Sequence, residues 1–149
     1  MISLPPRAAA AVAAVLALAG CRFGATAVPY NPGPTAKAIT PAQAKEALGR
    51  IMARARTYEG EPLQDVRVGD DRFQWRGTTA SGAPWSVDLA YAESQTYIGR
   101  WEPGAARGGE YSVGFLRGGA GVAFGGIFLP TLEDAQTVAD AVAVLGAKR

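Results

Sequence analysis

Asp65-Val66-Arg67-Val68-Gly69-Asp70-Asp71-Arg72-Phe73-Gln74-Trp75-Arg76 is the stretch on which the fold turns. Apolar and polar residues alternate on both sides of Gly69-Asp70-Asp71, the period of two half-buried strands joined by a tight turn. Phe73 and Trp75 fall on one face. The same period continues C-terminally. Ser81-Gly82-Ala83-Pro84 reads as a loop. Trp85 to Ala92 then places Val87, Leu89 and Tyr91 inward and Asp88 outward. Thr96 to Trp101 is a shorter strand, and Glu102 to Gly109 a flexible turn. Tyr111, Val113 and Phe115 alternate in the next strand, and Gly118-Gly119-Ala120-Gly121 turns tightly. Val122 to Leu129 is apolar on both sides, with Gly125-Gly126 marking a bulge or close packing. Six strands at short spacing predict an α+β domain built on a meandering antiparallel sheet or barrel.

A helix is expected on each flank. Thr40-Pro41-Ala42-Gln43 carries an N-cap, a proline at the first helical position and the glutamine of a capping box. Strong helix formers follow to about Arg56. Ala44, Leu48, Ile51, Met52 and Ala55 form one apolar stripe. Lys45, Arg50, Arg54 and Arg56 lie off it, a solvated basic face or one that touches acidic lipid. At the other end, Thr131 caps a helix whose first turn holds Glu133 and Asp134. Leu132, Ala135, Val138, Ala139, Val142 and Leu145 form its stripe. Gly146 is its expected stop, and Lys148-Arg149 complement its negative end. Such a stripe must cover a face or mouth of the sheet.

The N-terminus reads differently. Arg7 precedes an unbroken apolar run, Ala8 to Ala19, far shorter than the roughly 20 residues of a spanning helix. Small residues follow, as in a secretory leader over residues 1–20. Leu18-Ala19-Gly20-Cys21 resembles the lipobox of bacterial lipoproteins. The resemblance implies cleavage between Gly20 and Cys21, diacylglycerol on the Cys21 thiol and a possible acyl chain on its amine. Two or three chains anchor stably where one does not. Arg22 stands where aspartate, in the enteric family rule, would retain a lipoprotein in the inner membrane. Its presence therefore implies the outer membrane, facing the periplasm. Residues 21–39, with Pro29, Pro32 and Pro34, read as a tether in which Phe23 and Tyr30 are the residues able to touch headgroups. Residues 40–149 read as a single domain.

The order of helix, antiparallel strands and closing amphipathic helix is similar to the pleckstrin-homology-like (PH-like) barrel. Ser86 to Trp101 resembles the strand-turn-strand segment with a tyrosine in bacterial PH-like lipoproteins. Phe128 to Ala135, leading to Ala139-Asp140-Ala141, looks like the phrase that enters their last helix. The six clear strands depart from that family's seven.

Composition narrows the chemistry. The chain has no histidine and one cysteine. Imidazole-based zinc sites, Ser-His-Asp triads, Cys-His pairs and internal disulfides are excluded. A formal charge of +2, reduced further when Arg7 leaves with the leader, is no footprint for nucleic acid. Asp70-Asp71 with Asp65 is the one acidic group with cation-site spacing, and it reads better as a turn. Glu59, Glu61 and Asp65 sit on a polar connection with nothing to raise a carboxyl pKa. The glycines at 118, 119, 121, 125 and 126 lack the Gly-Lys-Ser/Thr and helix of a phosphate loop. Trp75, Trp85 and Trp101 either line a groove for an apolar ligand or partner, or serve as core and strand cover. The expectation is a non-catalytic envelope lipoprotein without cofactor or metal. It meets the membrane through Cys21 and acts as a binding or scaffolding module, with carriage of a small apolar ligand or lipid as the alternative.

Overall fold

The computed structural model describes residues 25–33, 38–78, 81–117 and 122–147. The leader, Cys21, Phe23, the glycine turn at 118–121, the side chains of 122–125 and Lys148-Arg149 lie outside the described residues. The protein is α+β. In chain order the elements are β1 (Ala25–Val28), α1 (Pro41–Met52), β2 (Gln64–Val68), β3 (Arg72–Thr78), β4 (Pro84–Ala90), a 3-10 turn (Tyr91–Glu93), β5 (Ser94–Trp101), β6 (Tyr111–Arg117), β7 (Val122–Leu129) and α2 (Leu132–Gly146). All strand pairings are antiparallel.

The six expected strands form, but not as one sheet. Joined by a seventh strand, β1, they divide into a three-stranded sheet, β2-β3-β4, and a four-stranded sheet, β1-β5-β6-β7. No strand pairing joins the two among the described residues, so of the expected sheet or barrel the barrel does not form, and the antiparallel strands make two sheets rather than one. The division falls at Tyr91. Its amide donates to Asp71 O at 3.0 Å and its hydroxyl to Gly69 O at 2.9 Å. Its ring stacks on Phe73 at 5.1 Å and 6°. These contacts pin the 3-10 turn against the first hairpin, and the chain leaves it as β5 in the other sheet.

The helices form for the reasons legible in their order. Thr40 Oγ1 accepts from Gln43 N at 3.2 Å, and Thr40 N donates to Gln43 Oε1 at 2.9 Å, a complete capping box. Thr131 Oγ1 caps α2 through Asp134 N at 3.2 Å. Helix α1 stops at Met52, short of Arg56, yet Ala55 stays buried beside the stripe. Helix α2 is buried over more than its expected stripe. Asp140, Ala141 and Val144 are also inside, because α1 packs along it while β5, β6 and β7 lie beneath. Gly146 is not a left-handed stop. It is the last residue of the helix, which stops where expected, and a Cβ there would come 2.7 Å from Tyr91 O.

Phe73, Trp75, Phe115, Leu48, Ile51, Val113, Ile127 and Leu129 fill the interior, each essentially without solvent contact. Such burial is worth about 1.5–3 kcal/mol per large apolar side chain. The bulge expected near Gly125-Gly126 is present in the β6–β7 register: Gly114 faces Gly126, but Leu116 faces Ala123, one residue extra on β7. A second irregularity lies in β2, where Asp65 takes φ 49°, a left-handed conformation that aspartate tolerates better than most residues.

The largest departure is at the N-terminus. Residues read as tether contain a strand, β1, paired on the edge of β5 from Ala25↔Trp101 to Val28↔Ile98. Beyond it, the Tyr30 hydroxyl donates to Asp140 Oδ1 on α2 at 2.7 Å. Among the described residues, the sheet therefore takes in 25–28, part of the stretch read as tether.

Candidate functional site

The two sheets treat their outward faces in opposite ways. Strand alternation sends Phe73, Trp75, Val87 and Leu89 of the three-stranded sheet to the core, leaving Arg72, Gln74, Arg76, Ser86 and Asp88 outside. That face is polar and self-paired. Arg76 Nε meets Asp65 Oδ2 at 2.9 Å, Arg72 Nη1 meets Asp88 Oδ1 at 3.4 Å, and Gln74 Nε2 donates to Asp88 Oδ2 at 2.9 Å.

In the four-stranded sheet, Ile98, Val113, Phe115, Ile127 and Leu129 face the core. The opposite parity carries Ala25, Tyr97, Gly99, Trp101, Ser112, Gly114, Leu116 and Phe128. Strand β6 was expected to alternate in and out, yet Ser112, Gly114 and Leu116 are as buried as Val113 and Phe115. The cover is aromatic. Tyr97 lies in register opposite Gly114, and a Cβ at Gly114 would overlap the Tyr97 ring. The Trp101 indole brings its Nε1 edge beside Gly99, 3.8 Å from where a Cβ would stand, and Nε1 donates to Ser112 Oγ at 3.0 Å.

Trp101, Phe128 and Tyr58 form a triangle of rings. The centroids stand 5.4 Å apart for Tyr58–Trp101 and 5.5 Å for Tyr58–Phe128, both edge-to-face, and 5.6 Å for Trp101–Phe128, which is tilted at 55°. Tyr58 reaches this position from a loop stitched to its neighbours. Arg56 and Phe128 exchange two backbone hydrogen bonds of 3.0 and 2.9 Å, Arg107 N donates to Tyr58 O at 2.9 Å, and Thr57 N donates to Glu61 O at 2.8 Å. At 43% exposure, Tyr58 is the one exposed large apolar side chain among the described residues.

The three tryptophans singled out in the sequence are not one surface. Trp75 is wholly enclosed, against Phe73 at 5.3 Å and Phe115 at 5.5 Å, and its Nε1 has no hydrogen-bond partner. It is core and presents nothing to a partner. Trp85 is half-buried on the same inner face, its ring over Gly77, its register partner. Only Trp101 belongs to the outward aromatic face. Tyr58, Tyr97 and Phe128 went unsingled in the sequence. The signal that could have found two of the packed rings is cross-strand: an aromatic residue opposite a glycine, Trp85↔Gly77 and Tyr97↔Gly114.

The acidic candidates stay apart. Asp70 bonds Lys45 Nζ at 2.9 Å and Asp65 bonds Arg76, both in the open. No group of three or more metal-ligating side chains is gathered among the described residues. Glu59 and Glu61 are exposed on the Tyr58 loop. Burial raises the Tyr97 phenol, and raises Tyr91 further with help from Asp70 and Asp71. The Asp140 carboxyl is raised by desolvation, which the Tyr30 hydrogen bond opposes.

A half-open groove of about 300 Å³ lies between α2 and the start of β5, lined by Pro32, Ser94, Gln95, Thr96, Ala139, Val142 and Ala143. No described helix is long and apolar enough to cross a membrane. Comparison with protein-family models, with curated proteins and with solved structures finds no match to this chain. What the arrangement offers chemically is contact: ring faces and edges, with the exposed Tyr58 phenol among them.

Proposed function

We propose that this chain is a lipid-anchored, non-catalytic module of the bacterial cell envelope. Its binding surface is the outward face of the four-stranded sheet, centred on Tyr58 and Trp101. One observation carries the surface: one sheet turns a salt-bridged face to water, whereas the other covers its outer face with aromatic rings, of which Tyr58 is exposed and Tyr97 and Trp101 partly so, where antiparallel sheets solvated on one side ordinarily place polar residues. The lipobox-like Leu18-Ala19-Gly20-Cys21 supports the anchor. The element order, with strands followed by a packed C-terminal helix, supports a PH-like reading, which lends no function because that fold hosts many.

The test has two arms. Protein purified from membranes should begin at Cys21 and carry acyl mass, and Cys21→Ser should lose both the mass and the membrane fractionation. An N-terminus elsewhere overturns the anchor. For the surface, a photoreactive side chain replacing Tyr58 should give adducts in cells, while one replacing Arg67 on the salt-bridged sheet should not. Equal labelling at the two positions overturns the assignment.

Carriage of a small apolar ligand is the second reading, supported by the groove between β5 and α2. Its size sits at the small end of the roughly 300–1,000 Å³ of ligand pockets. Co-purified lipid in native mass spectrometry would favour it, and a clean protein mass would count against it.

A further inference from the structure

We infer that the occupant of the Tyr58–Trp101 corner is the phospholipid headgroup layer of the membrane that holds the anchor. This rests on the Cys21 anchor proposed above and names what its aromatic surface meets. The first argument is reach. Only residues 22–24 separate Cys21 from β1, and four peptide steps span at most about 14 Å. Ala25 is the register partner of Trp101, and directly opposed residues lie about 5 Å apart. The chain therefore leaves the bilayer at the corner where Trp101, Tyr58 and Phe128 meet. β1 then runs away from that corner, toward Val28↔Ile98 and the Tyr30 contact with α2. A free tether of residues 21–39 would have left the domain's orientation open, whereas the pairing of β1 leaves only residues 22–24 between the anchor and the sheet.

The second argument is the chemistry of the corner. Tyr58 and Trp101 join an apolar ring to a polar tip, the combination enriched at both membrane–water interfaces. The headgroup regions add about 10–15 Å in total to a hydrocarbon core of roughly 30 Å, about 5–8 Å on each side, so a tether of at most about 14 Å brings the nearest surface of the body within reach of the headgroups. The charges there are mixed. Exposed Arg56 and Arg107 flank Tyr58, with Glu59 and Glu61 on the same loop and Glu102 next to Trp101 in the chain. A mixed-charge rim suits a zwitterionic surface better than an acidic one, where the glutamates would be repelled.

The experiment uses the acylated full-length mature chain in phosphatidylcholine vesicles, with a photoreactive side chain at position 58 or, as control, at position 67. The expected result is a phosphatidylcholine-mass adduct at 58 and none at 67. With acyl mass present on Cys21, absence of lipid adduct at 58 overturns the headgroup assignment while leaving the anchor intact. Absence of acyl mass overturns the anchor and the headgroup assignment with it. Both positions are exposed, so neither replacement disturbs the core.

Discussion

The outer faces of the two sheets are built by opposite means. On β2-β3-β4, long polar side chains stand out from the strands and pair with one another in water. On β1-β5-β6-β7, rings lie down across glycines and hide the strand surface beneath them. The first solution is local and cheap to alter, since exposed ion pairs are worth about 0–1 kcal/mol each. The second is close-packed, with Tyr97 occupying the space that any side chain at Gly114 would need. One sheet face is thus merely solvated, and the other is a second, smaller apolar layer with one open corner at Tyr58.

That contrast is most easily broken at the glycine. Gly114→Val should cost about 3 kcal/mol, because the added side chain must displace Tyr97 in a central strand. The matched change on the polar sheet, Gln74→Val, should stay within about 0.5 kcal/mol. Urea midpoints at unchanged slope measure both, and equal losses would show the faces to be equivalent. Trp101→Ala comes next, at about 2 kcal/mol. It removes the ring contacts with Tyr58 and Phe128, but the indole starts partly exposed, so the loss falls below the 3–5 kcal/mol of a fully buried tryptophan.

Tyr30→Phe tests the strap that follows β1, and should cost about 1–2 kcal/mol by leaving the buried Asp140 carboxylate without its donor. Asp140 also carries a sign in pH. Its folded pKa is raised above the ordinary 3.8, so the native state holds its proton more tightly than the unfolded chain. This group's contribution is therefore most favourable at low pH and is lost as pH rises through the raised value. Asp140→Asn should flatten that slope, and Tyr30→Phe should extend it upward, both read from thermal midpoints across acid pH. The smallest effect belongs to the polar face. Breaking Arg72–Asp88 by Arg72→Ala should change stability by about 0.5 kcal/mol or less, and 1 M salt should erase the difference. A salt-insensitive loss would mean that the arginine stem packs on the sheet.

Much of the fold was legible from order alone. Both caps, both helical stripes and six strands lie where their patterns place them, because these signals act over a few residues. The β7 bulge was readable from Gly125-Gly126. The candidate site was far less so. Trp101 stood out by composition, but Trp75 did too, and only burial separates a core tryptophan from a surface one. Tyr58 gave no pattern of its own, since its place beside Trp101 depends on a loop tied to Phe128 and Arg107. β1 was hidden for a related reason. Ala25-Thr26-Ala27-Val28 is too short to announce a strand, and its partner in β5 lies some seventy residues later.

Periodicity, caps and turns specify which segments are strands and which are helices, since each is decided by neighbours in the chain. Whether the strands close into a barrel, which tryptophan is covered, and where the chain emerges beside Trp101 depend on register between distant segments. Those pairings are chosen by packing, ring against glycine and strand edge against strand edge, and packing exists only once the layers have met.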